Sequence, residues 1–513
     1  MAAYRQRTAE VEFEDGARAF EDLRGFLRSS EALSLDHAAL EREVTARGRE
    51  VLRRLYQDHL SLRTRLEEPR PVTGVDGVTR THFREQSRPL MTVFGPVRVS
   101  RRGVSARDRD SLFPLDAELN LPVEEHSHGV RERVAVEASR GSFDAAVEAV
   151  TATTGAVVSK RQAEKLTAEA AQDFDAFYAQ RPSKDVLAKD DESVILTMDG
   201  KGIVVRHEDL REQTRRAAET SQHKLRKRLS KGEKRNRKRM ATVASVYSVA
   251  PHVRAAEDIV SELRPVQDVA RPPRPRPSHK RVWASVEKEP TEIVSEMFDE
   301  AAGRDPRRER QWAAVVDGNA TQIDLLESEA KKRQVTLVII LDLIHALEYL
   351  WKAAYCFHAD GTPEAEAWVT ERLTALLHGK VSGVAAGIRR SATKRGLDAD
   401  ARQPADTCAD YLLSHKRYMR YDAYLVAGLP IASGVIEGAC RHLVKDRMDL
   451  TGARWSLPGA EAVLRVRALR SSGDFEAYWP FHLEKEHSRN HRSRYAGATV
   501  RLSTRPHLQL VTP

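Results

Sequence analysis

The sequence predicts an α/β core with elements in the order β-β-β-α-β-α-β, an all-α insertion and a closing helix, preceded by a mainly helical region that holds a small β-hairpin. Three observations carry this prediction. Five short apolar runs between Val194 and Leu341 have the length and composition of strands. Helical periodicity fills residues 291–302 and 321–332, between the last three of those runs. A long stretch of purely helical pattern then separates the fifth run from residues 436–447, a further helix.

In order along the chain, residues 35–66 place Leu40, Val44, Val51, Leu52, Leu55, Leu60 and Leu62 at roughly helical spacing among charges, an amphipathic helix for core packing or dimerisation. Residues 91–101 (MTVFGPVRVSR) change to period two around Gly95-Pro96, a hairpin signal, with Arg98, Arg101 and Arg102 at its end. Residues 142–167 hold a periodic helix from Phe143 to Val150, a break at Gly155, and Ser159-Lys-Arg-Gln162, a capping box that opens a second helix. Two short helices across a glycine turn have helix-turn-helix form, which would put Lys160, Arg161 and Lys165 at the start of a recognition helix; an ordinary helical hairpin has the same spacing.

After Tyr178 the pattern turns α/β. Strand 194–198 (VILTM) ends at Asp199-Gly200, followed by strands 242–249 and 282–286. Helix 291–302 leads to strand 312–316, ending at Asp317-Gly318, and helix 321–332 leads to strand 335–341, ending at Asp342. This is the element order of an RNase H-like fold. Residues 363–420 are helical in pattern, break at Gly396-Leu397 and resume near Ala405, an all-α insertion.

The 84 Lys+Arg and 75 Asp+Glu give a net charge of +9 and a pI near 9.3. Its location says more than its size. Residues 215–239 hold 12 Lys/Arg against Glu219 and Glu233, a local charge of +10 that leaves the rest of the chain near neutral. So dense a run repels itself and has little apolar to bury, so its natural partner is a polyanion. Arg226, Lys227, Arg228, Lys234, Arg235, Arg237, Lys238 and Arg239 are the candidate DNA contacts within it. Residues 264–281, rich in Pro and Arg without a period, suggest an extended connector. No apolar run approaches the ~18 residues of a membrane span. Met1 leads into Arg5, Arg7 and Glu10 rather than a signal peptide, and Cys356, Cys408 and Cys440 share no CxxC spacing, so a reducing cytoplasm is expected.

Phosphoryl transfer on two cations roughly 3.5–4 Å apart needs about three converging carboxylates, which strand ends and a facing helix can supply. Asp199 ends the first predicted strand, Asp317 the fourth and Asp342 the fifth, and Glu437 opens the last helix. A lone Asp-Gly is ordinary turn chemistry, but two on neighbouring strands with a Glu on the following helix form a constellation. His345 follows Asp342 at helical spacing, where the pair could orient a phosphate or simply cap and pack. Arg441, Lys445 and Arg447 follow Glu437 at close to i+4 spacing, a cationic row suited to a DNA backbone.

Several segments together carry a resemblance: LFPLDAELNLP (112–122), SFDAAVEAVTATTG with KRQAEKL, DFDAFY (173–178), MDGKGI (198–203), VVDGN (315–319), LDLIHALEYLW (341–351) and, longest, residues 428–470 beginning GLPIASGVIEGACRHLVKDRM. In these the chain resembles bacterial insertion-sequence transposases of the ISKra family, within the Mutator-like group of DDE transposases. The resemblance implies that Asp199, Asp317 and Glu437 form the triad holding two Mg²⁺ (or Mn²⁺) ions, that Asp342 and His345 are its accompanying Asp-x-x-His element, and that Trp351 lies near the entry of the insertion. Asp342 is the alternative second member of the triad. Arg454 and Trp455 fall in the longest matching segment and join the expected DNA contacts. The implied organisation is a helical region 1–88, a DNA-binding region 89–180, a catalytic core 185–355 interrupted by the insertion 356–427 and completed by 428–482, and a flexible basic tail 483–513. The implied activity is cleavage of DNA at element ends and strand transfer into target DNA, by a homodimer or larger assembly bound to terminal repeats and target. An RNase H-like nuclease that does not join strands, and a catalytically inactive DNA-binding regulator, are the alternatives.

Overall fold

The computed structural model describes residues 13–181, 192–220, 237–263, 274–450 and 452–499. The chain divides into two compact units, Met1–Ala179 with Asp474–Pro513, and Gln180–Gly473. Among the described residues no helix is long and apolar enough to cross a membrane.

In the first unit, helix Glu14–Leu27 and the short helix Ser30–Ser34 precede helix His37–Leu66, whose N-cap Asp36 accepts the Ala39 N–H at 2.7 Å. A small ribbon of β1 (Val72–Thr73) and β2 (Thr79–Arg80) follows. The predicted small hairpin is larger than its sequence signal: β3 (His82–Thr92) and β4 (Gly95–Ala106) pair antiparallel along their whole length, and β5 (Arg109–Leu112) adds a third strand. Residues 82–85 of β3 are all exposed, so the outer half of the ribbon has no buried face to impose a period of two. Its inner half packs Leu90, Val97 and Val99 against Leu60 of the long helix.

Helices Phe143–Thr153 and Lys160–Ala170 stand where predicted, the second with the Ser159/Gln162 capping box formed. Helix His128–Arg140 shares their core of Val130, Val134, Val150, Ala163 and Leu166. The expected flexible tail is corrected in its described part. Helix Phe475–Asn490 continues past residue 482 and packs within the first unit. Its fully buried His482 lies 2.7 Å from Asp173, Glu486 pairs with Arg131, and the Tyr478 hydroxyl donates to the Ala170 carbonyl at 2.6 Å. These partners are some 300 residues away in sequence, beyond any local pattern.

The second unit is built on a five-stranded mixed sheet: β6 (Ser193–Val204), β7 (Lys238–Val249), β8 (Ser278–Ser285), β9 (Trp312–Val316) and β10 (Leu337–Leu341), in the spatial order β10-β9-β6-β7-β8. β6, β7 and β8 are antiparallel neighbours, while β9 and β10 run parallel to β6. Helices Pro290–Arg304 and Ala320–Arg333 make the crossovers. β9 matches its predicted bounds because all five of its residues are buried in a continuous apolar run. Two short helices, Glu212–Thr220 and Ala256–Glu262, interrupt the β6–β7 and β7–β8 connections. The insertion comprises helices Pro363–Leu377, Val381–Lys394, Ala399–Ser414 and Tyr421–Val426. Gly396 turns between its second and third helices at φ +63°, and the third begins at Ala399, ahead of the expected Ala405. Behind the sheet, Glu300 of helix Pro290–Arg304 is ringed by Arg181 (3.2 Å), Arg281 (2.8 Å) and Arg304 (2.7 Å). Helix Leu457–Ser471 locks onto β8 through Glu461, which accepts from the Ser285 hydroxyl and the Val286 N–H.

Candidate active site

The site lies at the boundary between β6 and β9. These strands pair in parallel register from Val194 opposite Trp312 to Thr197 opposite Val315. The paired register stops there; Asp199 lies two residues further along β6 and Asp317 two residues beyond Val315, at the same end of the two strands. Asp199 departs from its expected setting in one respect: β6 does not stop at Asp199-Gly200 but runs on to Val204, with Asp199 opposite Val243 of β7. The antiparallel neighbour supplies the ladder that holds the pair extended, so this Asp-Gly is strand, not turn. Its Oδ1 accepts the Gly200 N–H at 2.6 Å and its Oδ2 the Cys440 thiol at 3.1 Å.

Asp317 falls one residue past the end of β9. Its Oδ1 accepts the Asn319 N–H at 2.9 Å, and Asn319 caps helix Ala320–Arg333. Gly318 has φ +94°, a conformation costly to any side chain. Two residues of the insertion that sequence reasoning missed close on this turn. The Tyr411 hydroxyl donates to the Asp317 carbonyl at 2.9 Å, and His415 Nε2 lies 2.9 Å from the Gly318 carbonyl. No local signal marks either residue, because both act on partners more than 90 positions upstream.

Asp342 is buried and caps helix Leu343–Ala354. Its Oδ1 accepts the Ile344 N–H at 2.8 Å and its Oδ2 the Ser433 N–H at 2.9 Å. Burial raises its pKa; the Ile344 and Ser433 N–H groups and His345 oppose the rise, and Glu437 adds to it. Both oxygens of Asp342 are thus engaged by backbone donors, whereas among the described residues only Oδ1 of Asp317 has such a partner. Asp342 ties the start of one helix to the loop that leads into the other. His345, half-buried, stands in the first turn beside it.

Glu437 is exposed on helix Gly434–Ala439. That helix widens into π-turns over Cys440–Lys445 before closing at Asp446–Met448, an irregularity frequent at functional sites. Cys440 lies three residues after Glu437, and its contact with Asp199 anchors this segment to β6. Burial and then the Asp199 carboxylate push the Cys440 thiol well above its ordinary range, so it remains a protonated donor. In donor type, three carboxylates suit a hard cation such as Mg²⁺ or Mn²⁺. In arrangement, no group of three or more His, Cys, Asp or Glu side chains placed to hold a metal ion is found among the described residues.

The expected DNA contacts divide. Arg441, Lys445 and Arg454 are exposed. Arg447 and Trp455 are not the surface residues expected: both are buried, the guanidinium stacked 4.6 Å over the indole, whose N–H donates to the Met448 carbonyl at 3.0 Å. Arg447 comes only two residues after Lys445, a spacing that turns it off the helical face shared by Arg441 and Lys445. Lys160 pairs with Asp144 at 2.7 Å and Lys165 with Glu124, while Arg161 is exposed. Arg237 and Lys238 are half-exposed at the start of β7, and Arg239 donates to the Val286 carbonyl at 2.9 Å. Arg226, Lys227, Arg228, Lys234 and Arg235 lie outside the described residues. Compared with known proteins, the chain matches no family model and no curated protein.

Proposed function

We propose that this protein is a DNA transposase of an insertion sequence, of the ISKra family in the Mutator-like DDE group that its motifs resemble, and that the Gln180–Gly473 unit is its RNase H-like catalytic domain. One observation carries the reading: Asp199 on β6 and Asp317 just past β9 lie at the same end of two adjacent parallel strands, with the Glu437 helix tied to Asp199 through Cys440 and to Asp342 through Ser433. The sheet, with a central first strand, two antiparallel neighbours on one side and two parallel strands on the other, is the order an RNase H-like domain requires.

Asp199, Asp317 and Glu437 would hold two Mg²⁺ or Mn²⁺ ions, which when bound activate water and stabilise the leaving 3′-oxygen. The residues of the chain do the rest. The three acids would present their carboxylate oxygens to those ions. Cys440 keeps its proton and donates to Asp199 until the acid is recruited. Arg441, Lys445 and Arg454 offer cations to the phosphate backbone, a binding that weakens with salt. Water attacks a phosphodiester at the element end, and the freed 3′-hydroxyl attacks target DNA in the same site. No covalent enzyme intermediate is formed, so no Ser or Tyr nucleophile is required. Joining two ends at once calls for a homodimer or larger assembly, working in the cytoplasm on the nucleoid.

The test is nicking of a supercoiled plasmid carrying the DNA that flanks the gene, with Mg²⁺ or Mn²⁺, by wild type, Asp317→Asn and Asp342→Asn. Cleavage at the flanks, lost in Asp317→Asn and only weakened in Asp342→Asn, is the expected result. Tight DNA binding without metal-dependent cutting by any form would overturn it in favour of a DNA-binding regulator. Cutting without joined products would leave a nuclease.

A further inference from the structure

We infer that Tyr411 and His415, at the end of the insertion helix Ala399–Ser414, are positioning residues for Asp317; this rests on reading Asp317 as a metal-holding acid. Three successive carbonyls leave β9, and each has a different partner. Val316 O accepts the Asp342 N–H at 2.8 Å, Asp317 O the Tyr411 hydroxyl at 2.9 Å, and Gly318 O faces His415 Nε2 at 2.9 Å. The two insertion residues are themselves braced. The Tyr411 ring stacks on Tyr349 at 3.9 Å and 11°, and His415 Nδ1 sits 2.8 Å from the Tyr411 carbonyl.

These contacts bear on the acid because, among the described residues, no strand continues the ladder at Asp317. A residue just past a strand end, next to a glycine at φ +94°, takes its direction from whatever holds the following carbonyls. Here that is the insertion. The fit is close: a Cβ on Gly318 would lie 2.9 Å from the Tyr411 hydroxyl oxygen and 3.0 Å from Leu341 Cδ1. Outer partners that orient a ligand are worth about 10- to 100-fold in metal affinity or activity. The insertion also places the Tyr424 hydroxyl 3.2 Å from the Ile339 carbonyl on edge strand β10. That bond resembles the Tyr411 bond in kind but acts away from the acids, so it is a built-in control.

The experiment measures Mn²⁺ binding to the full chain by electron paramagnetic resonance, the Mn²⁺ dependence of plasmid nicking, DNA retention on gels and Tm, for wild type, Tyr411→Phe, His415→Gln and Tyr424→Phe. Phenylalanine keeps the stacked ring and removes only the donor. Tyr411→Phe and His415→Gln should each raise both the Mn²⁺ dissociation constant and the half-saturating Mn²⁺ about 10-fold, with DNA retention and nicking at saturating Mn²⁺ near wild type. Tyr424→Phe should lower Tm and leave Mn²⁺ behaviour unchanged. Wild-type Mn²⁺ dependence in both Tyr411→Phe and His415→Gln, or an equal change in Tyr424→Phe, would overturn the positioning role alone. A folded wild type that neither binds Mn²⁺ nor nicks would overturn the proposed function, and the positioning role with it.

Discussion

Asp199 and Asp317 lie at the same end of neighbouring parallel strands and are held by different means. Asp199 lies inside a twelve-residue strand, laddered to Val243 of β7, so its backbone is set by the sheet. Asp317 lies past the end of a five-residue strand, and its backbone is set by a left-handed glycine, the Asp342 N–H and two side chains of the insertion. One acid of the candidate pair is therefore part of the frame, and the other is suspended between the frame and an added domain. Disturbing the insertion should reach Asp317 and spare Asp199.

The largest expected effect tests whether the two acids are nonetheless equivalent in chemistry. Asp199→Asn and Asp317→Asn should each reduce plasmid nicking on the order of 10⁴-fold, the scale for a member of a unit that acts together; a large loss in only one would break the pairing. Next in size is the frame itself. Burial alone would raise the pKa of Glu300, but Arg281, Arg304 and Arg181 outweigh it and hold the carboxyl at about 2, against an ordinary 4.5. A depressed acid stabilises the fold fully above its unfolded pKa, and that contribution is lost as pH falls from about 4.5 toward 2. Glu300→Gln should cost about 3 kcal/mol at neutral pH, leaving three buried guanidinium groups short of a partner, and should flatten the acid limb of a denaturant-melt series. An unchanged pH profile would refute the assignment.

The two glycines beside the acids sharpen the contrast directly. Gly318→Ala meets both a positive φ and a Cβ contact of 2.9 Å, and should destabilise by about 2 kcal/mol. Gly200→Ala meets only the flexible, exposed tip of Met240 at 3.0 Å, and should stay within about 0.5 kcal/mol of wild type. Equal melts for the two would show that the Asp317 turn is not strained from outside. Smallest in activity is Asp342→Asn. Asparagine still caps the helix, but it cannot accept from both Ile344 and Ser433, so a stability loss of about 1 kcal/mol with weakened nicking is expected. Complete loss of nicking would return Asp342 to the triad.

The parts legible in the sequence are those whose causes are local. β9 has its predicted bounds, the crossover helices Pro290–Arg304 and Ala320–Arg333 lie within two residues of theirs, and the Ser159/Gln162 capping box forms as its spacing implies. Where prediction and structure part, a distant partner intervenes. β6 overrides the turn preference of Asp199-Gly200 because β7 pairs across it. The segment after Asp474 joins the first unit because Asp173, Arg131 and Ala170 receive its side chains. Arg447 turns inward onto Trp455, a partner eight residues on, and leaves the cationic row to Arg441 and Lys445.

For the candidate site, the sequence by itself determined which residues are acidic, the strand and helix signals that bracket them, and the α/β order that makes two of those strands neighbours. Apolar period and capping chemistry act over a few residues, and they suffice for that. Only the tertiary structure decided that Cys440 rests against Asp199, that Asp342 serves two helices, and that Tyr411 and His415 hold the turn after Asp317. Apart from the local Asp342–Ile344 cap, each of those bonds joins groups about 90 to 240 positions apart. Their geometry exists only once the insertion has packed beside the sheet, because a hydrogen bond is specified by where two chains meet and not by the composition of either one.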